Sequence, residues 1–258
     1  MPPTPRHTLS CNCTTTQTSC SNPGDAGHAA RRRFMGLALA AAASGGLGLN
    51  AAPALGATPK LLSPLPANTP DEALAKLMAG NARYLQLKHT TSPHDFEMLR
   101  TQTAEGQSPF AAILACSDSR VPVELLFDQS IGKLFVVRVA GNVASSAVIG
   151  SLEYAAEVLK VKTLMVLGHS RCGAVKAAID NRNAPGQITT LYSYMHGAIA
   201  KIPSKEYRAV VMQNAIEQAR VLGAASPVIA QRVKTGALRV QPAIYDVETG
   251  EVALLGLA

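Results

Sequence analysis

The chain has 258 residues, 47% of them hydrophobic and 16% charged, with 24 basic and 17 acidic side chains giving a net charge of +7. That length and apolar content suit one packed domain of about 200 residues plus an extra segment, and no internal repeat points to a solenoid. With 4% aromatic residues and no basic stripe interleaved with them, the composition argues against a dedicated nucleic-acid binder.

In chain order, residues 1–57 read as a leader. Met1 to Ala29 is rich in Thr, Ser, Asn and Pro and has too little apolar surface to fold. Arg31-Arg32-Arg33-Phe34-Met35 then precedes an apolar, Ala-rich run from Gly36 to Leu49, followed by Ala52-Pro53-Ala54 and Leu55-Gly56-Ala57. A charged, an apolar and a small-residue region in that order form an export signal, and the paired arginines suggest the twin-arginine type, although Ala30 stands where that motif usually has Ser or Thr. The apolar run is shorter than the roughly 20 residues a membrane span requires, so cleavage is expected rather than a stable anchor. A mature protein in the periplasm, or otherwise exported through that machinery, follows. Cys11, Cys13 and Cys20 leave with the leader, so the remainder keeps only Cys116 and Cys172. A separate metal site of these leader cysteines with His7 and His28 would have almost no apolar support. Without the leader's four basic and one acidic residues the chain carries +4, which is best read as a solvated surface.

The catalytic-sized remainder, 58–258, reads as one α/β domain. Thr69-Pro70-Asp71 starts a helix, with Leu74, Leu77, Met78 and Leu85 at helical spacing. Strands are predicted at about 110–115, 134–139 and 163–168, alternating with helical stretches near 121–127, 144–160 and 173–181. Helices near 188–200, 205–222 and 226–235 follow. That alternation indicates a mostly parallel sheet flanked by helices. The tail, LRVQPAIYDVETGEVALLG, has two strand-like runs about Glu248-Thr249-Gly250 and predicts a hairpin.

Two short motifs stand at the ends of apolar strands: Cys116-Ser117-Asp118-Ser119-Arg120 after PFAAILA, and His169-Ser170-Arg171-Cys172 after TLMVLG. Either alone has an ordinary reading, as a core cysteine beside a helix cap or as a strand-to-helix corner built on Gly168 and Gly173. Together they offer two thiolates and one imidazole at the carboxyl ends of parallel strands, where ligands gather. Three protein ligands with one open position is the pattern of a catalytic zinc site. Two thiolates cancel the charge of Zn²⁺, so such a metal acidifies its water less than a tri-histidine site does, and a nearby base helps. Asp118 can serve as that base, and Arg120 can hold its carboxylate in a bidentate grip.

With CSDSRVP (116–122), GKLFVVR (132–138), SLEYA (151–155) and GHSRCGAVKAA (168–178) in place, the chain resembles the β-class carbonic anhydrases from about Asp71 to the C-terminus. The resemblance implies one Zn²⁺ per subunit, held by Cys116, His169 and Cys172, with an Asp118–Arg120 dyad. It also implies attack of zinc-bound hydroxide on CO₂ to give bicarbonate, and a closed state in which Asp118 becomes the fourth ligand. Gln107, Phe135 and Tyr154 fall on the family's substrate-pocket positions in a plant-type arrangement. The family builds its sites at a subunit interface. A homodimer or larger homo-oligomer is therefore expected, with 76–89 in the contact and with Gln107 and Tyr154 serving a neighbour. The family would also place the first hairpin strand at the sheet edge. The absence of Trp removes the family's regulatory bicarbonate site, and Arg138-Val139-Ala140-Gly141-Asn142 departs from the usual Arg-Asn sequence. Two other functions share these ligands: a carbonyl sulfide or carbon disulfide hydrolase, and a non-catalytic zinc-binding protein with Asp118 as a permanent ligand. A thiol redox role for Cys116 and Cys172 lacks a Cys-x-x-Cys motif.

Overall fold

The computed structural model describes residues 67–90 and 96–257. The leader, its arginine pair and any cleavage point lie outside the described residues.

A five-stranded sheet of order β2-β1-β3-β4-β5 forms the centre. Strands β1 (Ala111–Ala115), β2 (Leu134–Arg138), β3 (Thr163–His169) and β4 (Arg239–Tyr245) run parallel, and β5 (Val252–Leu254) is antiparallel to β4. AAILA and TLMVLGH are buried at every position, as expected of parallel strands covered on both faces. Strand β2 is a half-buried edge. The first hairpin strand is not at the edge: β4 pairs with β3 over seven residues, and β5 covers its other side. Asn81 locks this arrangement, donating to Gly250 O at 3.0 Å and accepting from Val252 N at 3.0 Å.

Helix α1 (Pro70–Leu85) begins with a capping box in which the Thr69 hydroxyl and the Glu72 carboxylate satisfy each other's backbone N–H groups. Its Ala73, Leu74 and Leu77 are buried with Phe127, Leu126 and Met165 on one sheet face, each large side chain contributing roughly 1.5–3 kcal/mol. At Gly80 the helix touches the backbone after α3 (Val123–Leu126): a Cβ there would stand 1.8 Å from Phe127 O. Thus α1 packs on its own chain, with Lys76 Nζ 4.5 Å above the Phe110 ring, while Leu85 and Leu87 stay exposed.

Helix α2 (Phe96–Thr103) was not expected, because its eight residues are mostly polar and carry no clear apolar stripe. On the opposite face of the sheet, α4 (Ser146–Glu157), α7 (Tyr207–Ala225) and α8 (Pro227–Lys234) cover Leu114, Leu164 and Val166 through Leu152, Leu222 and Ile229. Helix α5 (Gly173–Ile179) follows β3 directly. The helix expected at 188–200 is a 3₁₀ turn, Ile188–Leu191, leading into α6 (Tyr192–Ala200). Among the described residues, no helix is long and apolar enough to cross a membrane.

Candidate metal centre

Cys116 follows the last residue of β1, His169 ends β3 and Cys172 caps α5, so the sheet itself brings residues 56 positions apart to one place. Their three ligand atoms lie within 4.8 Å of one another and all three side chains are buried. The two Sγ atoms are 4.0 Å apart, well beyond the roughly 2.05 Å of a disulfide, and both cysteines are free. Nδ1 of His169 is 2.9 Å from Ser170 O, so it carries the proton and donates, which leaves the lone pair on Nε2. That Nε2 is buried with no hydrogen-bond partner. An orphaned imidazole nitrogen converging with two thiols is the donor set of a zinc ligand shell.

The electrostatics of the thiol pair agree with this use. Cys116 is drawn well below its ordinary value, first by the Cys172 S–H donating to it and then by His169 and the Gly141 N–H. Cys172 is pushed up by the same pairing and by burial. The pair thus gives up its first proton more readily than its second.

Asp118 stands beside the group, its Oδ2 3.9 Å from His169 Nε2. Arg120 turns the carboxylate aside: Nε donates to Oδ1 at 2.9 Å, Nη2 to Oδ2 at 2.7 Å, and its backbone N to Oδ1 at 2.9 Å. This grip holds the Asp118 carboxyl far below the usual carboxylate range. Arg120 Nη2 also donates to Arg171 O at 3.1 Å, which ties the two motif loops together.

Three side chains that support the site were not picked out from the sequence as supports. Arg138, at the end of β2, donates through Nε to Cys116 O at 3.0 Å and through Nη2 to Asp118 O at 2.5 Å. Tyr207 opens α7 and donates its hydroxyl to Cys172 O at 2.8 Å; burial pushes its pKa up to about 12. Asn214, two turns further along α7, reaches Gly141 O at 2.9 Å. Each acts on a backbone carbonyl, which no side-chain motif signals. The available hint was the pair Asn214 and Gln218, polar residues on the otherwise apolar buried stripe of α7.

The three expected pocket residues are not part of this cluster within one chain. Phe135 pairs with Ala112, four residues before Cys116, and so sits about 13 Å down the sheet at 3.3 Å per residue. Tyr154 packs against Phe135 at a ring-centroid separation of 6.2 Å and is 46% exposed. Gln107 is exposed in the segment before β1.

Fold and centre together define an α/β protein with a buried Cys-His-Cys group at the carboxyl ends of its parallel strands and an arginine-held aspartate beside it. The family described as carbonic anhydrase matches residues 111–252. Carbonic anhydrase 2 of Mycobacterium tuberculosis is 35% identical over 204 residues, covering 74% of this chain and 95% of the relative. A carbonic anhydrase of Mycolicibacterium smegmatis is 36% identical over 197 residues with the same coverage. Among solved structures, the β-carbonic anhydrase of Aspergillus fumigatus superposes with a TM-score of 0.59 at 26% identity, covering 73% of this chain and 91% of that one. A tetrameric β-carbonic anhydrase of Sordaria macrospora gives 0.57 at 26% identity, covering 71% and 96%. The chain belongs to the β-class carbonic anhydrase family.

Proposed function

We propose that the protein is a carbonic anhydrase that interconverts CO₂ and bicarbonate with one Zn²⁺ held by Cys116 Sγ, His169 Nε2 and Cys172 Sγ. The observation that carries this reading is the buried, unpartnered Nε2 of His169 converging with two free thiols beside an ionised aspartate. When bound, zinc supplies a nucleophile at near-neutral pH by acidifying a water. The chain's residues do the rest. Asp118 accepts the proton-bearing side of the attacking water and aims its lone pair at carbon. Arg120 keeps that carboxylate ionised and turned away from the ligand atoms, so that it would not compete with solvent or substrate for a bound zinc. A permanently closed, non-catalytic site would have no use for this grip. No observation favours carbonyl sulfide or carbon disulfide over carbon dioxide.

Gln107, Phe135 and Tyr154 complete the pocket from a second copy of the chain, in a plant-type arrangement. Support comes from the distance of Phe135 from its own Cys116, from the exposure of Tyr154 and Gln107, and from the half-buried β2 edge. The assembly is at least a homodimer. Residues 1–57 direct export by a twin-arginine-type route before removal, and 58–258 form the catalytic domain. Folding around zinc before export would protect Cys116 and Cys172 from oxidation outside the cytoplasm. The test is Cys172→Ser measured beside the unsubstituted protein: loss of both zinc and CO₂ hydration is expected. Full zinc binding with unchanged hydration would overturn the ligand assignment.

A further inference from the structure

We infer that Asn214 and Gln218 are positioning residues that act on Cys116 through the peptide at Gly141, an inference that rests on the Cys-His-Cys group being the metal centre. The Gly141 N–H points at Cys116 Sγ, 3.3 Å away, and is a side-on hydrogen bond to a ligand sulfur. Nothing in local backbone preference holds it there. Gly141 has φ +74° and Asn142 φ +46°, both in the left-handed region, so the turn between β2 and α4 is one that the chain would readily leave.

Helix α7 supplies the restraint. Asn214 Nδ2 donates to Gly141 O at 2.9 Å, so the residue whose N–H faces the sulfur is gripped from its carbonyl side. Gln218, one turn on, accepts from Ala144 N at 2.8 Å, and its amide nitrogen donates to Asn214 Oδ1 at 3.1 Å and Tyr194 O at 2.8 Å. Both amides are 1% exposed. The Asn214 and Gln218 amides thus clamp the turn at its start and its end. Buried amides among Val210, Ala215, Ala219 and Leu222 would be costly there unless their hydrogen bonds were made, at roughly 1–3 kcal/mol for each group left unpaired. A network of this kind is rigid because it is complete.

The consequence is chemical as well as mechanical. An N–H donated to a thiolate withdraws electron density from it. The sulfur is then a weaker donor, and the metal it binds keeps more of its positive charge for the open position. A site with two thiolates is the kind that gains most from such a correction. Partners outside the ligand shell typically change metal affinity or activity by about 10–100-fold.

The experiment uses the full chain, stripped of metal and reloaded with Co²⁺ for absorption spectra and with Zn²⁺ for competition against a chelator. The variants are Asn214→Leu, Gln218→Met and, as a control, Asn81→Leu, which breaks a similarly buried amide bridge that makes no hydrogen bond to the 139–144 turn or to Cys116. Asn214→Leu should move the thiolate-to-cobalt charge-transfer band to longer wavelength, because the freed sulfur is the stronger donor, and weaken zinc about 10–100-fold, because losing the restraint that positions Cys116 outweighs that stronger donation. Gln218→Met, which leaves the Asn214–Gly141 bond in place, should do the same to a lesser degree. Asn81→Leu should lower thermal stability and leave the band where it is. An unmoved band and unchanged affinity in Asn214→Leu, or in Gln218→Met if the first variant does not fold, would overturn the inference. An unsubstituted protein with no thiolate-to-cobalt band would instead remove the metal-centre reading, and this inference with it.

Discussion

Replacing Asp118 by Asn is the substitution that separates holding the metal from using it. The carboxylate accepts three hydrogen bonds from Arg120, two at Oδ1 and one at Oδ2. An amide can keep only one side of this pattern. With its oxygen at the Oδ1 position, the backbone N and Nε bonds survive, but an NH₂ group then faces Nη2 across the 2.7 Å now spanned by a charge-assisted bond. Flipped, it opposes two donors instead of one. The first orientation therefore prevails, and it puts an N–H where Oδ2 now stands, 3.9 Å from His169 Nε2. The proton acceptor nearest the metal ligands is gone. Cys116, His169 and Cys172 are untouched, so zinc should be retained at one per chain. Loss of a positioned base costs about 10²–10⁴ in rate, equal to ~2.7–5.4 kcal/mol of transition-state stabilisation. Stopped-flow CO₂ hydration with metal content measured on the same sample reads both quantities. Turnover equal to the unsubstituted protein at full zinc occupancy would show that Asp118 is a structural partner of Arg120 only, and the proposed proton chemistry would fall.

Other substitutions probe the framework. Burial pushes the Asp128 carboxyl up, but Arg83 and the N–H and hydroxyl of Thr90 outweigh it and leave the group below its ordinary value. Its contribution to stability is therefore present above the unfolded carboxylate pKa, near 3.9, and is lost as pH falls through the lower folded value. Asp128→Asn should lower the melting temperature at neutral pH and flatten its decline in acid; an identical acid profile would refute the assignment. Gly80→Ala would force a Cβ into the Phe127 carbonyl, and should cost at least the roughly 1–3 kcal/mol of an overpacked core in chemical denaturation. Gly141→Ala meets both a left-handed φ and Met195 Sδ at 3.1 Å, so it should weaken zinc retention more than overall stability. In a host with a twin-arginine pathway, Arg31→Lys with Arg32→Lys should leave the precursor inside the cell, and unchanged export would exclude that route.

The strands and the Cys-His-Cys group were legible because each motif ends an apolar run. A run buried on both faces can only be a central strand, and β1 and β3 are neighbours. The edge position of β4 rested on the family resemblance alone, because a hairpin signal gives pairing within the tail but not which of its strands meets the existing sheet. Seven paired residues join β4 to β3, whereas β5 has only three on the other side. Helix α2 has no stripe to detect. Arg138 is visible only within a segment that departs from the family pattern, Asn214 only as a polar residue on an apolar stripe, and Tyr207 not at all, since their roles are set by distant carbonyls that only the folded chain brings near. The pocket residues Gln107, Phe135 and Tyr154 have family spacing in the sequence, yet Phe135 lies four residues down the sheet from the level of Cys116 with Tyr154 packed beside it; spacing along the chain does not fix distance in the fold.

The most direct measurement is the initial rate of CO₂ hydration by the unsubstituted, zinc-loaded protein from pH 6.5 to 9. Rapid, zinc-dependent turnover that rises with pH as the attacking water gives up its proton is expected. Full zinc occupancy with no hydration at any pH in that range would contradict it.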